Sequence, residues 1–120
     1  MELIRLNKRK KEETIMNKQR RNDLKSIKGN LEEIMSEIES IQEKLEECKS
    51  DLENVKDEEE TAYDNLPESL QDGERGERMQ SAIVSMEEAM DSVDTIMEGL
   101  EEAVSSFEDI YSSIDEAIEA

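Results

Sequence analysis

Few side chains in this sequence are equipped for covalent or metal chemistry. The 120 residues include one cysteine, Cys48, and no histidine or tryptophan. Without histidine the chain lacks the usual general base near neutral pH and the commonest zinc ligand. A single thiol forms neither an internal disulfide nor a thiolate metal cluster. Cys48 sits on an apolar heptad row, which predicts a buried free thiol packing as a small hydrophobe. Asp57-Glu58-Glu59-Glu60 has the charge to attract a divalent cation but not the calcium-loop spacing with its central glycine. A solvated charge run is the simpler reading. No glycine-rich phosphate loop follows a strand pattern, and no serine has a histidine to activate it. The expectation is a non-enzyme, with no cofactor, metal or catalytic residue.

Composition narrows the class further. Three aromatics (Tyr63, Phe107, Tyr111) and 34% apolar content cannot fill the wide core of an α/β or sandwich domain. No apolar run approaches the roughly 20 residues that span a bilayer. The opening MELIRLNKRKK is charged where a secretory leader needs an apolar core. A cytoplasmic protein that works by its surface is expected, with no membrane partner.

The elements that must position any surface site are two heptad runs. Leu24, Ile27, Leu31, Ile34, Ile38, Ile41, Leu45, Cys48, Leu52 and Val55 alternate three and four apart. Met79, Ile83, Met86, Met90, Val93, Met97, Leu100, Val104, Phe107, Tyr111, Ile114 and Ile118 do the same. A sustained 3.5-residue period is the coiled-coil signal, and each run makes a rod of roughly 50–60 Å. Asn65-Leu66-Pro67 ends the first helix, because the residue before proline is restricted away from helix. Asp72 is then an N-cap candidate for the second helix, with Gly73 and Gly76 beside it. Tyr63, Leu66 and Leu70 are expected to plug the closed end. The predicted fold is all-α: a long antiparallel helical hairpin, alone or dimerising into a four-helix bundle. Residues 1–22 form a basic N-terminal arm, partly helical or disordered. Residues 23–120 form the acidic hairpin, with helix 1 over about 23–63, the turn over 64–73 and helix 2 over about 74–118.

Charge supports the antiparallel pairing. The arm holds eight bases against three acids, a net +5, and the remainder carries −24 of the formal −19 total. From Met79 to Ala120 there is no lysine or arginine. With Leu24 and Ile83 as a positions, the e row of helix 1 contains Lys28, Lys49 and Lys56, and that of helix 2 Glu87, Asp94, Glu101, Glu108 and Asp115. In antiparallel pairs e faces e. A register pairing Leu52 with Met86 and Leu24 with Ile114 places Lys49 near Glu87 and Lys28 near Glu108, with a one-heptad alternative open. Such exposed pairs choose orientation more than they stabilise.

Helix 2 carries more apolar surface than one partner covers. Its g row reads Ala82, Ala89, Ile96, Ala103, Ile110, Ala117, and the wider face suits a third or fourth helix. Either a second copy or a different protein is expected on it. The seven methionines read as adaptable core filling or as a recognition face. The candidate partner-binding residues are therefore Ala89, Ile96, Ala103 and Ile110 with the acidic row Glu87, Asp94, Glu101 and Glu108. Spread over roughly 60 Å, −24 is one charge per about 2.5 Å, against one per about 1.7 Å of duplex DNA. Nucleic-acid mimicry is one reading of that density, and ordinary acidic solubility is the other. The arm, with Leu3, Ile4 and Leu6 as anchors and Lys8–Lys11 and Lys18–Arg21 as its cations, suits a protein contact better than nucleic acid. It has no interleaved aromatics for base stacking.

The tip segment AYDNLPESLQDGERGERM, followed by AI and acidic heptads, resembles a pattern in small proteins of Gram-positive bacteria and their phages. In these an acidic coiled coil runs into a tyrosine-containing turn, an ER pair and a second amphipathic helix. The resemblance covers most of Glu58–Ala120, with Tyr63, Asn65, Pro67, Glu74, Arg75 and Glu77 as the matching tip positions. It implies the hairpin fold and a phage or prophage setting, and it transfers no activity. The expected function is a stoichiometric inhibitor of a host protein, plausibly of a defence system. A structural scaffold or assembly protein is the alternative, and a nucleic-acid binder acting through the basic arm is the third reading.

Overall fold

The computed structural model describes the backbone of residues 2–120 and the side chains from Asn17 onward. The chain is 94% helical, with no strand among the described residues. Helix α1 spans Glu2–Asp64, α2 Glu68–Gln71 and α3 Glu74–Glu119. Neither long helix contains proline, and both are rich in Glu, joined by Lys and Leu in α1 and by Met and Ala in α3, residues that lose little on entering a helix. The fold is the expected helical hairpin. The change of charge at residue 22 is not marked by a break in α1. The side chains of the arm as far as Met16, including Leu3, Ile4, Leu6 and Lys8–Lys11, lie outside the described residues.

The hairpin tip differs from expectation in detail. At the end of α1, Asn65 N–H donates to Thr61 O and Leu66 N–H to Tyr63 O, each at 3.0 Å. Pro67 then takes an extended conformation, φ −57° and ψ 145°, and heads the single turn α2. The Gln71 side-chain amide donates to the Tyr63 carbonyl at 2.9 Å, satisfying a terminal acceptor of α1. Asp72 is not the N-cap of α3. It closes α2, donating its N–H to Glu68 O, and α3 starts two residues later. Glu77 N–H donates to Gly73 O at 3.1 Å as the first bond of α3.

Gly76 is the one buried residue of α3. A Cβ there would land on the Gln71 carbonyl oxygen and lie 2.6 Å from the Gln71 Cα. The first turn of α3 packs directly on backbone. Tyr63 and Leu66 are half-buried in the tip, but Leu70 is exposed, because α2 turns it outward.

The helices form two compact units: α1 through Glu37 with Ala103–Ala120, and Ile38–Glu102. In the first, Lys28 Nζ donates to the two carboxylate oxygens of Asp115 at 2.8 and 3.1 Å. Tyr111 Oη lies 3.5 Å from the Met35 sulfur, and its ring centroid is 5.9 Å from Lys28 Nζ. In the second, Lys49 pairs with Asp94 at 2.6 Å, and Lys56 lies 3.9 Å from both Glu87 and Glu60. The e rows face each other as antiparallel pairing requires, but one heptad away from the expected partners. Lys28 meets Asp115 rather than Glu108, and Lys49 meets Asp94 rather than Glu87.

Candidate functional site: two opposed helix faces

The ion pairs fix one side of each unit, and side-chain exposure fixes the other. On α1 the a-row residues Leu24, Leu31, Ile38, Leu45 and Leu52 are half-buried. So are the e-row residues Lys28, Met35, Gln42, Lys49 and Lys56. The d row is not: Ile27, Ile34, Ile41 and Val55 are 44–52% exposed, and Cys48 is exposed as well. This overturns the expected burial of Cys48. Helix α1 presents its a and e rows to α3, a rotation that the apolar period alone does not specify, because the apolar stems of Lys28, Lys49 and Lys56 cover surface as methylenes do.

Helix α3 presents a and d rows inward. Of its g-row residues, Ala89 and Ala103 are half-buried, whereas Ala82 and Ala117 are exposed, as are Ile96 at 53% and Ile110 at 40%. In an antiparallel pair the e rows meet on one side and the g rows on the opposite side. In each unit the exposed d residues of α1 and the g residues of α3 therefore share the side away from the ion pairs. Sequence reasoning found the α3 part of this face and missed the α1 part.

The acidic candidates lie on the ion-pair side, and they are not equivalent. Asp94 and Glu87 are engaged by Lys49 and Lys56. Glu101 and Glu108 are exposed, and neither forms an ion pair among the described residues. The reason is in the α1 row, where Met35 and Gln42 stand at e positions otherwise held by lysine. Glu101 lines an open groove with Glu39, Gln42, Glu43, Glu46 and Met97. The groove is thus lined by one glutamate from α3 and three from α1, with no lysine or arginine among its lining residues.

Every acidic residue of α3, from Glu74 to Glu119, occupies a b, e or f position. None falls on a, c, d or g, and the c row reads Ser85, Ser92, Gly99, Ser106, Ser113. The carboxylates thus cover one half of the helix, and the only charges on the other half are Arg75 and Arg78 in its first turns. Hydrogen bonding to Asp115 and Asp94, opposed by partial desolvation, raises the Lys28 and Lys49 ammonium groups above their ordinary 10.5. Among the described residues, no three His, Cys, Asp or Glu side chains are grouped to hold a metal ion. Within those same residues, no helix is long and apolar enough to cross a membrane. No family model, curated protein or solved structure matches the chain.

Proposed function

We propose that the chain is a non-enzymatic binding protein that blocks a host protein in the cytoplasm of a bacterium, with the acidic side of the hairpin as its contact surface. The observation that carries this reading is the uncompensated acid around Glu101 and Glu108, on a helix whose carboxylates all lie on one half. A one-sided anionic surface fits a partner with a basic groove, and many such grooves hold nucleic acid. Mimicry of nucleic acid is the mechanism this surface favours. The tip resemblance supports a phage or prophage setting, and inhibition of a host protein is the role this reading gives a small acidic helical protein there.

The test is affinity capture from host lysate with the wild-type chain, followed by a competition assay with nucleic acid on the captured target. Glu101→Lys with Glu108→Lys should abolish inhibition, because neither carboxylate takes part in an inter-helix ion pair. Inhibition unchanged in that variant ends the mimicry reading. Reversal of Glu87 or Asp94 is a poorer test, since it also removes the partner of Lys56 or Lys49. The open apolar side of each unit favours a second feature, homo-oligomerisation, which a scaffold and an inhibitor would share.

A further inference from the structure

We infer that the groove beside the hairpin tip receives an arginine side chain from a basic segment of a partner protein. Tyr63, Ile83 and Val84 give it an apolar lining, and Glu60, Asp64 and Glu87 an acidic rim. The source of that arginine rests on the reading of a basic target above, and the groove itself does not.

The groove lies within one unit, Ile38–Glu102, between the end of α1 and the early turns of α3. The e rows create it. Lys56 and Glu87 make the ion pair nearest the tip across the two helices, and one heptad further Tyr63 and Gln80 take the same positions with no charges to join them. A volume of 370 Å³ is left there, at the small end of the roughly 300–1,000 Å³ of ligand pockets. It suits one side chain better than a cofactor.

Three features select arginine. Charge is the first: Glu60 and Glu87 each lie 3.9 Å from the one ammonium of Lys56, and Asp64 has no ion pair among the described residues. Three carboxylates against one cation repel phosphate and attract a second cation. The lining is the second. Tyr63 and Ile83 are half-buried and Val84 is 51% exposed, so an arginine stem laid on them leaves water while its head stays at the rim. The head itself is the third. A planar, weakly hydrated guanidinium stacks on a tyrosine ring and forks onto carboxylates, which a compact, strongly hydrated ammonium does not. The groove around Glu101 has the carboxylates without this lining: it holds no aromatic, and Met97 is its one apolar side chain.

Amide NMR of the full chain, titrated with the capped tripeptide Gly-Arg-Gly in about 0.01 M salt, tests the proposal. Saturable shifts should be largest at Tyr63, Ile83 and Val84. The lysine tripeptide should bind about fivefold more weakly, and the citrulline tripeptide, which keeps the shape without the charge, should not bind. Shifts that follow the carboxylates along both helices, or equal binding of the lysine tripeptide, overturn the proposal. Val84→Arg puts a cation into the groove from an exposed position. It should weaken Gly-Arg-Gly binding by about tenfold with helical circular dichroism retained, and binding unchanged in that variant overturns the site. Glu43→Gln with Glu101→Gln, in the other groove, should leave binding within about twofold; a loss equal to that of Val84→Arg overturns the assignment to the tip. Capture of a host protein enters none of these readouts, so the two readings fail separately.

Discussion

Gly76 shows how much one residue decides at the tip. Its missing side chain lets the first turn of α3 rest on the Gln71 backbone, and no rotamer change in a neighbour makes room for a methyl group. Gly76→Ala should cost about 1–3 kcal/mol of stability through overpacking. Gly29 is the internal control: it lies on an exposed turn of α1 with nothing within 4 Å of an added Cβ. Gly29→Ala should stabilise by about 0.5–1 kcal/mol through helix propensity alone. Urea denaturation followed by circular dichroism measures both, and opposite signs are expected. Equal shifts would mean that the tip does not pack as described. Cys48 teaches a related point. Its heptad letter suggested burial, but a letter states spacing, and exposure depends on which way the helix is rolled.

Among the elements, the two long helices and the turn between them were legible, because a sustained 3.5-residue period with a single proline between runs leaves few other arrangements. The register was legible only modulo seven, since sliding one heptad returns apolar residues to apolar neighbours. Lys28 and Lys49 meet an acid in either register, and the structure settles on Lys28–Asp115 and Lys49–Asp94, which also brings Lys56 to Glu87. The α2 turn was not legible, for four residues carry no period. Exchanging the charges, Lys49→Asp with Asp94→Lys, should restore most of the thermal midpoint lost in either single variant. The register one heptad away predicts no such rescue. The raised lysines also set a pH limit. Each pair contributes fully below the ordinary 10.5, and the contribution is lost as pH rises through the still higher folded-state values. The thermal midpoint should therefore fall in that alkaline range, and by less when both Lys28 and Lys49 are replaced by methionine.

At the scale of the whole molecule, the opposed faces of α3 should respond to salt in opposite directions. A basic target held on the carboxylate half gains affinity from released counterions and loses it as salt rises. Homo-oligomerisation on the open apolar side would be held by apolar burial and opposed by repulsion between chains of −19 each. Raising ionic strength from about 0.01 M to about 0.1 M shortens the screening length from about 30 Å to about 10 Å, less than the width of a four-helix bundle. Repulsion between the outer acidic halves then fades while burial is untouched. The dissociation constant of such an oligomer should fall with added salt, and the captured host protein should elute over the same range. Sedimentation and lysate capture in parallel salt series give the two slopes. An oligomer that weakens with salt would instead be held by charge, through the +5 arm of one copy lying on the acidic surface of the other. Deleting residues 1–22 separates these cases: the apolar oligomer keeps its mass and its salt slope, whereas the arm-held oligomer dissociates.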